Sequence, residues 1–80
     1  MWYVYVIKGI NSGHYIGCSN NFQRRLSEHN HGYSLATKNN IPWILVHLEE
    51  FNNQKDAYFR EKQIKSYKGG SAFKKLLNIK

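Results

Sequence analysis

The chain has 80 residues, which is enough for one hydrophobic core and too few for two, so we predict a single domain spanning residues 1–80. Twelve lysines and arginines against five acidic residues give a formal charge of +7, which favours a polyanionic partner, with nucleic acid as the first candidate. A membrane surface is the rival polyanion, but the basic residues do not lie on one helix with a continuous apolar opposite face, so we expect no membrane partner.

A β-hairpin is the first predicted element. Residues 2–7 are all β-branched or aromatic, a turn-rich stretch follows, and a second short strand covers residues 14–18. With the turn centred on Ile10, Tyr5 is expected directly opposite Tyr15, with both side chains on one face of the sheet.

A helix of about three turns is predicted next. Side-chain oxygens at residues 19–21 can cap its first turn, the helix covers residues 22–29, and Gly32 is expected to end it. Arg25 falls on its inward side, whereas Arg24 points outward. The other inward positions are Phe22, Leu26 and either His29 or Asn30. An arginine among apolar neighbours is unusual and indicates a specific role for Arg25.

A third strand is predicted over residues 43–51, after an irregular polar segment closed by Pro42. Two helices follow it, which completes the order β-β-α-β-α-α. This order predicts an α+β fold in which a three-stranded antiparallel β-sheet is flanked by helices.

The longer of these two helices carries a second unusual residue. Residues 52–53 supply its cap, the helix runs to about Lys68 before two glycines, and a last short helix begins at Gly70 or Ser71. Its inward stripe comprises Ala57, Glu61, Ile64 and Lys68. Glu61 therefore places a carboxylate where the pattern favours an apolar side chain.

Arg25 and Glu61, taken alone, are also consistent with a buried salt bridge. The spacing of four short motifs favours a functional site instead. In chain order the motifs are Tyr3-Val4-Tyr5, Tyr15-Ile16-Gly17, Arg24-Arg25-Leu26 and Arg60-Glu61-Lys62. With these motifs the chain resembles the GIY-YIG nuclease family over roughly residues 2–77, and most closely its small stand-alone, single-domain members.

The resemblance implies a role for each motif residue. Tyr5 matches the tyrosine that helps to activate the attacking water, and Tyr15 matches the one that contacts the reacting phosphate. Arg25 matches the arginine that stabilises phosphoryl charge. Glu61 matches the carboxylate that holds a single divalent metal ion, Mg²⁺ or Mn²⁺. His29 occupies a place where relatives carry a tyrosine or histidine that assists proton transfer.

The resemblance and the basic surface also suggest substrate contacts. Gly17 is expected to keep the end of the second strand open for close approach of the phosphate. The full set of predicted substrate-binding residues is Gly17, Arg24, Lys62, Lys65 and Lys68. The alternative for the lysines is an ordinary solvated face rather than contacts along a phosphate backbone. Likewise, Tyr5 and Tyr15 fit a plain cross-strand aromatic pair, and His29 fits a capping histidine.

Phosphodiester hydrolysis explains why these residue types are effective together. Negative charge grows on the non-bridging and leaving oxygens, so a guanidinium and a hard cation directed at that charge are good stabilisers. Magnesium suits a site with one carboxylate because it keeps several waters. A phenol with a pKa of about 10 is a poor base, so Tyr5 must either be helped by a nearby cation or pass its proton onward, with His29 as the expected recipient.

We therefore expect a metal-dependent DNA endonuclease that is structure-directed or weakly specific. The alternatives are a weakly active or non-catalytic nucleic-acid-binding module with the same fold, and a protein-interaction domain. Three departures from the family pattern leave a weak or partner-dependent enzyme open. Tyr3 stands in place of the first glycine, and Cys18 stands where some relatives carry lysine. Phe73 lies near the place where some relatives carry a polar residue, about three turns after the glutamate. RNA as a substrate, protein partners and the pathway, whether repair, recombination or defence, also stay open.

The lone Cys18 precludes an internal disulfide and a cysteine-based zinc site, which suits a reducing cytoplasm. The sequence begins directly with apolar residues 2–7, without a basic leader, and contains no apolar run of membrane-spanning length. We therefore expect a cytoplasmic location.

Overall fold

The sequence folds into a sheet with helices on both faces. The computed structural model describes residues 1–78, so the last two residues of the predicted 1–80 domain lie outside the described residues. The elements in chain order are β1 (Trp2–Gly9), β2 (His14–Ser19), α1 (Phe22–Asn30), a 3-10 turn (Lys38–Asn40), β3 (Trp43–Phe51), α2 (Gln54–Ser66) and α3 (Ser71–Leu76). This order confirms the predicted α+β fold. Among the described residues, no helix combines the length and apolar character needed to cross a bilayer.

β1 is the central strand of a three-stranded antiparallel sheet with the order β2-β1-β3. Helices cover both faces of this strand, so its side chains from Val4 to Ile7 form a continuous buried run rather than an alternating one. The core on one face comprises Val4, Val6, Ala57, Ile64 and Phe73. The core on the other face comprises Tyr5, Ile7 and Trp43, with Phe22 and Leu26 of α1 packed against it. Tyr5 therefore points towards α1, and α2 and α3 cover the opposite face.

The register of the hairpin differs from the predicted one. Tyr5 pairs with Gly17 and Tyr15 pairs with Ile7, so the expected direct opposition of the two tyrosines is wrong. Side chains on a strand alternate faces with a period of two, and the register differs by two residues. The tyrosines therefore still share the face covered by α1, but as diagonal neighbours.

The turn of the hairpin accounts for this shift. It is centred on Asn11 because the Gly9 N–H donates to the Gly13 carbonyl oxygen at 2.8 Å. Asn40 supports the turn from a distant part of the chain: its Oδ1 accepts from the Asn11 N–H at 2.6 Å, and its carbonyl oxygen accepts from the Ile10 N–H at 3.2 Å. The local sequence does not reveal so distant a contact, which is why the pattern placed the turn one residue too early.

Asparagine side chains cap both long helices as predicted, Asn21 at the start of α1 and Asn53 at the start of α2. α2 ends at Ser66, earlier than the predicted end near Lys68. Lys68 and Gly69 have φ angles of +50° and +75°, in the left-handed region that ends a helix. Lys68 therefore lies in an exposed turn, and the buried stripe of α2 consists of Ala57, Glu61 and Ile64.

One side chain joins α1 to the sheet. Asn30 Oδ1 accepts from the Trp43 N–H at 2.6 Å, and Asn30 Nδ2 donates to the Trp43 carbonyl oxygen at 3.1 Å. These bonds satisfy main-chain groups of a buried residue at the start of β3. His29, one residue earlier, is only 1% exposed. Of the two residues considered for the inward position, His29 is the buried one, and Asn30 holds the helix against β3.

We expect Asn30→Ala to lower the free energy of unfolding by about 1–3 kcal/mol, because it leaves the Trp43 N–H and carbonyl oxygen without their partners. Urea unfolding followed by tryptophan fluorescence measures this loss. Asn39→Ala, an exposed asparagine in the 3-10 turn, is the matched control. Equal stability of the two variants would contradict the role given to Asn30.

Candidate active site

Three side chains that are distant in the sequence meet on the face covered by α1: Tyr5 from β1, Tyr15 from β2 and His29 from α1. The Tyr5 oxygen and His29 Nε2 are 3.3 Å apart, and the ring centroids of Tyr15 and His29 are 4.8 Å apart. The strand register places the tyrosines on one face, and the helical period turns His29 towards them. The sequence-predicted residues Tyr5, Tyr15 and His29 therefore form one cluster.

Arg25 lies at the edge of this cluster. Its side chain is 41% exposed, and its Nη1 donates to Glu28 Oε1 at 3.0 Å. The neighbouring Tyr5 oxygen is the main cause of the raised pKa of Arg25. A cleft of about 220 Å³ opens here, lined by Arg25, Glu28, His29, Tyr33 and Ser34. A guanidinium that is partly open to solvent beside a cleft can contact an anionic oxygen.

Glu61 lies on α2, whose residues Ala57 and Ile64 pack in the core on the opposite face of the sheet. It is 9% exposed, on the buried stripe of the helix. Its Oε2 is 2.7 Å from the Nζ of Lys65, one turn later. Burial is the main cause of the raised pKa of Tyr5, and the charge of Glu61 adds to it. The carboxylate is therefore near enough to Tyr5 for the two groups to interact electrostatically.

The sequence pattern was also consistent with a salt bridge between Arg25 and Glu61, but the structure pairs these residues with other groups. Among the described residues, Arg25 pairs with Glu28 and Glu61 pairs with Lys65. Both pairs lie within one helix, at spacings of three and four residues. The two unusual inward residues therefore do not neutralise each other.

The protonation states of Tyr5 and His29 follow from their burial. Burial is the main cause that raises the pKa of Tyr5, with additions from Tyr15 and Glu61 and opposition from Arg25. Burial also lowers the pKa of His29, and the charge of Arg25 lowers it further. Near neutral pH, Tyr5 is therefore a neutral phenol and His29 a neutral imidazole. Such a pair is a donor and an acceptor between which a proton can move.

Gly17 leaves the space that the Tyr5 side chain fills. The two residues are cross-strand partners, and a Cβ on Gly17 would overlap the Tyr5 hydroxyl. The structure therefore supplies a steric reason for glycine at this position. The expected role of Gly17 in phosphate approach stays a prediction.

The four predicted substrate-binding cations occupy different surroundings. Lys65 contacts Glu61 directly. Arg24 is exposed on the outward side of α1, and the Lys62 ammonium lies 4.6 Å from the centroid of a tyrosine ring. Lys68 lies in the turn after α2. Lys65 is thus the member of this set that touches a residue of the proposed site.

Glu61 is the predicted metal ligand, and its surroundings allow a test of that assignment. Within residues 1–78, no group of three or more His, Cys, Asp or Glu side chains is arranged to hold a metal ion. A single carboxylate suits Mg²⁺ or Mn²⁺, which keep several water ligands, and does not suit zinc, which takes three or four protein ligands. The Lys65 side chain, whose Nζ contacts Glu61 Oε2, is 53% exposed and can move away. The donor set therefore fits a hydrated Mg²⁺ or Mn²⁺ ion.

Thr37 belongs to the cluster, although no sequence pattern predicts it. It is 1% exposed, and its Oγ1 lies 2.8 Å from His29 Nδ1. Its carbonyl oxygen accepts from Trp43 Nε1 at 2.8 Å. Thr37 lies in the irregular segment between α1 and β3, where neither periodicity nor a motif marks it. The one available signal is a lone β-branched residue in a polar stretch, which is weak.

Comparisons with known proteins point in one direction. A family model described as the GIY-YIG catalytic domain matches residues 1–74. A UPF0213 protein of Haloquadratum walsbyi is 38% identical over 66 residues, which cover 81% of this chain and 74% of that protein. A UPF0213 protein of Clostridium perfringens is also 38% identical, with 81% and 71% covered. One of Staphylococcus haemolyticus is 35% identical, with 81% and 80% covered. No solved structure gives a significant match.

We expect Gly17→Ala to lower the free energy of unfolding by about 1–3 kcal/mol, because the added methyl group overlaps a Tyr5 side chain that is fully packed. Thermal or urea unfolding measures the loss. Gly70→Ala is the matched control, because its Cβ would lie 3.2 Å from a single carbonyl oxygen. A Gly17→Ala variant as stable as Gly70→Ala would show that Tyr5 does not need this space.

Proposed function

Because this chain belongs to the GIY-YIG family, whose catalytic domains are endonucleases, we propose that it hydrolyses DNA phosphodiester bonds with the help of one divalent metal ion. One observation carries the proposal: Arg25 and His29 line one cleft, and the Tyr5 oxygen lies 3.3 Å from His29 Nε2. These groups suit direct attack by water, without a covalent enzyme intermediate. We assign this activity to the proposed single domain, residues 1–80.

Tyr5 and His29 form the proposed proton path. Water that attacks the phosphorus must lose a proton, and a neutral phenol can accept that proton only as it releases its own. The Tyr5 oxygen lies 3.3 Å from His29 Nε2, so Tyr5 can pass its proton to His29 as it takes one from water. This distance is long for such a hydrogen bond, and catalytic hydrogen bonds tighten when substrate binds.

Arg25 and Tyr15 are the proposed phosphate-binding residues. A guanidinium has five N–H donors, so the bond from Arg25 to Glu28 leaves others for the non-bridging oxygens of the phosphate. The same bond to Glu28 restrains the arginine before substrate arrives. Tyr15, in contact with the His29 ring, is proposed to donate a hydrogen bond to the same phosphate.

Glu61 is the proposed ligand of the metal ion, which when bound neutralises growing charge on the phosphate and the leaving oxygen. The Lys65 ammonium on Glu61 Oε2 competes with a metal for that oxygen. This pair is the observation that favours the second candidate function, a weakly active or non-catalytic nucleic-acid-binding module. In either case Lys65 lowers the affinity of the site for metal.

The surface charge suits a nucleic acid. The net charge is +7, and Arg24, Lys62 and Lys68 are exposed. Contacts from lysine and arginine to phosphates carry no information on base sequence, so we propose that the substrate is chosen by structure or with weak specificity. RNA carries the same phosphates, so it is included as a substrate in the cleavage assay below. The single Cys18 suits the cytoplasmic location that we propose.

We expect the wild-type protein to cleave supercoiled, branched or single-stranded DNA in Mg²⁺ or Mn²⁺, and Glu61→Gln to do so at least about 100-fold more slowly. Glutamine keeps the shape of Glu61 and removes the charge that holds the metal ion. Initial rates on labelled DNA, and on RNA of the same sequence, measure the effect. Glu50→Gln, which neutralises an exposed carboxylate on β3, is the matched control and should keep the wild-type rate.

Binding separates the two candidate functions. Fluorescence anisotropy should show equal DNA affinity for the wild type and Glu61→Gln. For both proteins, a plot of log K against log salt concentration on duplex DNA should have a slope of about −0.9 per phosphate contacted. DNA binding by a wild-type protein that never cleaves would support the binding module. Cleavage by Glu61→Gln at the wild-type rate would rule out the assigned site, and a flat salt response would rule out a nucleic-acid partner.

Removing the competing cation should strengthen metal binding. An ion pair as exposed as this one is worth at most about 1 kcal/mol, so we expect Lys65→Met to bind Mn²⁺ about fivefold more tightly. Titration followed by Mn²⁺ electron paramagnetic resonance measures the affinity without any substrate. Lys62→Met, three residues earlier and exposed, is the control. Equal affinities for the two variants would contradict competition by Lys65, and unchanged binding by Glu61→Gln would exclude Glu61 as the ligand.

A further inference from the structure

Thr37 ends a buried chain of hydrogen-bonding groups behind the Tyr5 hydroxyl. Its Oγ1 lies 2.8 Å from His29 Nδ1, and His29 Nε2 lies 3.3 Å from the Tyr5 oxygen. All three side chains are at most 1% exposed. With so little access to solvent, the position of each proton depends on the neighbouring groups of the chain.

Two arrangements of protons satisfy these distances. In the first, Tyr5 donates to His29 Nε2, and the Nδ1–H donates to Thr37. In the second, Thr37 donates to Nδ1, and the Nε2–H donates to Tyr5. Arg25 favours the first, because its guanidinium, which has donors only, interacts with the Tyr5 oxygen. In the second arrangement the Tyr5 oxygen would accept hydrogen bonds from both Arg25 and His29. The Tyr5 hydroxyl proton, which is more acidic than that of Thr37, would then have no acceptor among these groups.

We propose that Thr37 is a positioning residue: it accepts the Nδ1–H of His29 and so keeps Nε2 available for the Tyr5 proton. The catalytic consequence rests on the proposed nuclease function, whereas the hydrogen bond rests on the geometry alone. A partner at one imidazole nitrogen selects the tautomer, and therefore the role, of the other nitrogen.

The fold holds Thr37 firmly enough for this role. Trp43 Nε1 donates to the Thr37 carbonyl oxygen at 2.8 Å, and the main chain of Trp43 is bound by the Asn30 side chain. Asn30 directly follows His29 in α1. The contacts thus run from His29 through Thr37 and Trp43 back to the residue next to His29. This closed loop restrains the orientation of the imidazole ring.

The charged and titratable groups around His29 come from three elements. They are Arg25 and Glu28 on α1, Tyr5 on β1 and Tyr15 on β2. Arg25 disfavours the charged imidazolium and Glu28 favours it. Thr37 carries no charge, so it decides which nitrogen holds the proton and not whether the ring is charged. Loss of the Thr37 hydroxyl should therefore change the tautomer of His29 and the rate of cleavage. It should leave nearly unchanged the pH at which activity declines on the acid side.

The test compares Thr37→Val, which keeps the shape and removes the hydroxyl, with Thr37→Ser, which keeps the hydroxyl. Long-range ¹H–¹⁵N NMR spectra of the whole protein report which nitrogen of His29 carries the proton. We expect the proton on Nδ1 in the wild type and in Thr37→Ser, and loss of this preference in Thr37→Val. A wild-type proton on Nε2, or an unchanged tautomer in Thr37→Val, would overturn the proposal.

Cleavage rates test the catalytic consequence. We expect Thr37→Val to lower kcat by about tenfold or more, with little change in KM, and Thr37→Ser to stay near the wild-type rate. Thermal unfolding of each variant shows whether it is folded at the assay temperature. A folded Thr37→Val variant with the wild-type kcat would overturn the positioning role. If the wild type itself never cleaves, the proposed function fails, and the NMR result still decides the Thr37–His29 bond.

Discussion

A hydroxyl group buried at the centre of the sheet is the constraint on which this cluster depends. Tyr5 lies on β1, which is covered on both faces, and a polar group in such a place is costly without a hydrogen-bond partner. Gly17 leaves room for the ring, and His29 supplies the partner. His29 is itself buried and needs a second partner, which Thr37 provides. Burying one phenol thus accounts for a glycine, a histidine and a threonine from three other parts of the chain.

The charged groups around this neutral cluster are arranged in short-range pairs. Arg25 is held by Glu28 and Glu61 by Lys65, each within one turn of its own helix. The guanidinium and the carboxylate are therefore restrained by local partners on two different helices. Burial keeps Tyr5 and His29 uncharged between them. A site built in this way is organised before any substrate or metal ion arrives, and the partners that organise it compete with those ligands.

Periodic segments are predictable here because their rules act over two to four residues. Runs of β-branched and aromatic residues, asparagine caps and terminal glycines suffice for the order of strands and helices. Tyr5 and Tyr15 share a face as predicted even though the register was wrong, because a shift of two residues preserves the alternation. The register itself depends on Asn40, which supports the hairpin turn from a segment without any period.

Local patterns suffice to predict the elements, their order and the small set of polar residues on inward faces, because strand alternation, helix period and motif spacing act over short stretches of the chain. The folded chain supplies Thr37 as the partner of His29, and it pairs Arg25 and Glu61 with Glu28 and Lys65 of their own helices rather than with each other. Those choices depend on how the irregular segment between α1 and β3 folds over the helix, and on which of several nearby charges lies closest. The irregular segment has no period, so no pattern along the chain predicts the contact between Thr37 and His29.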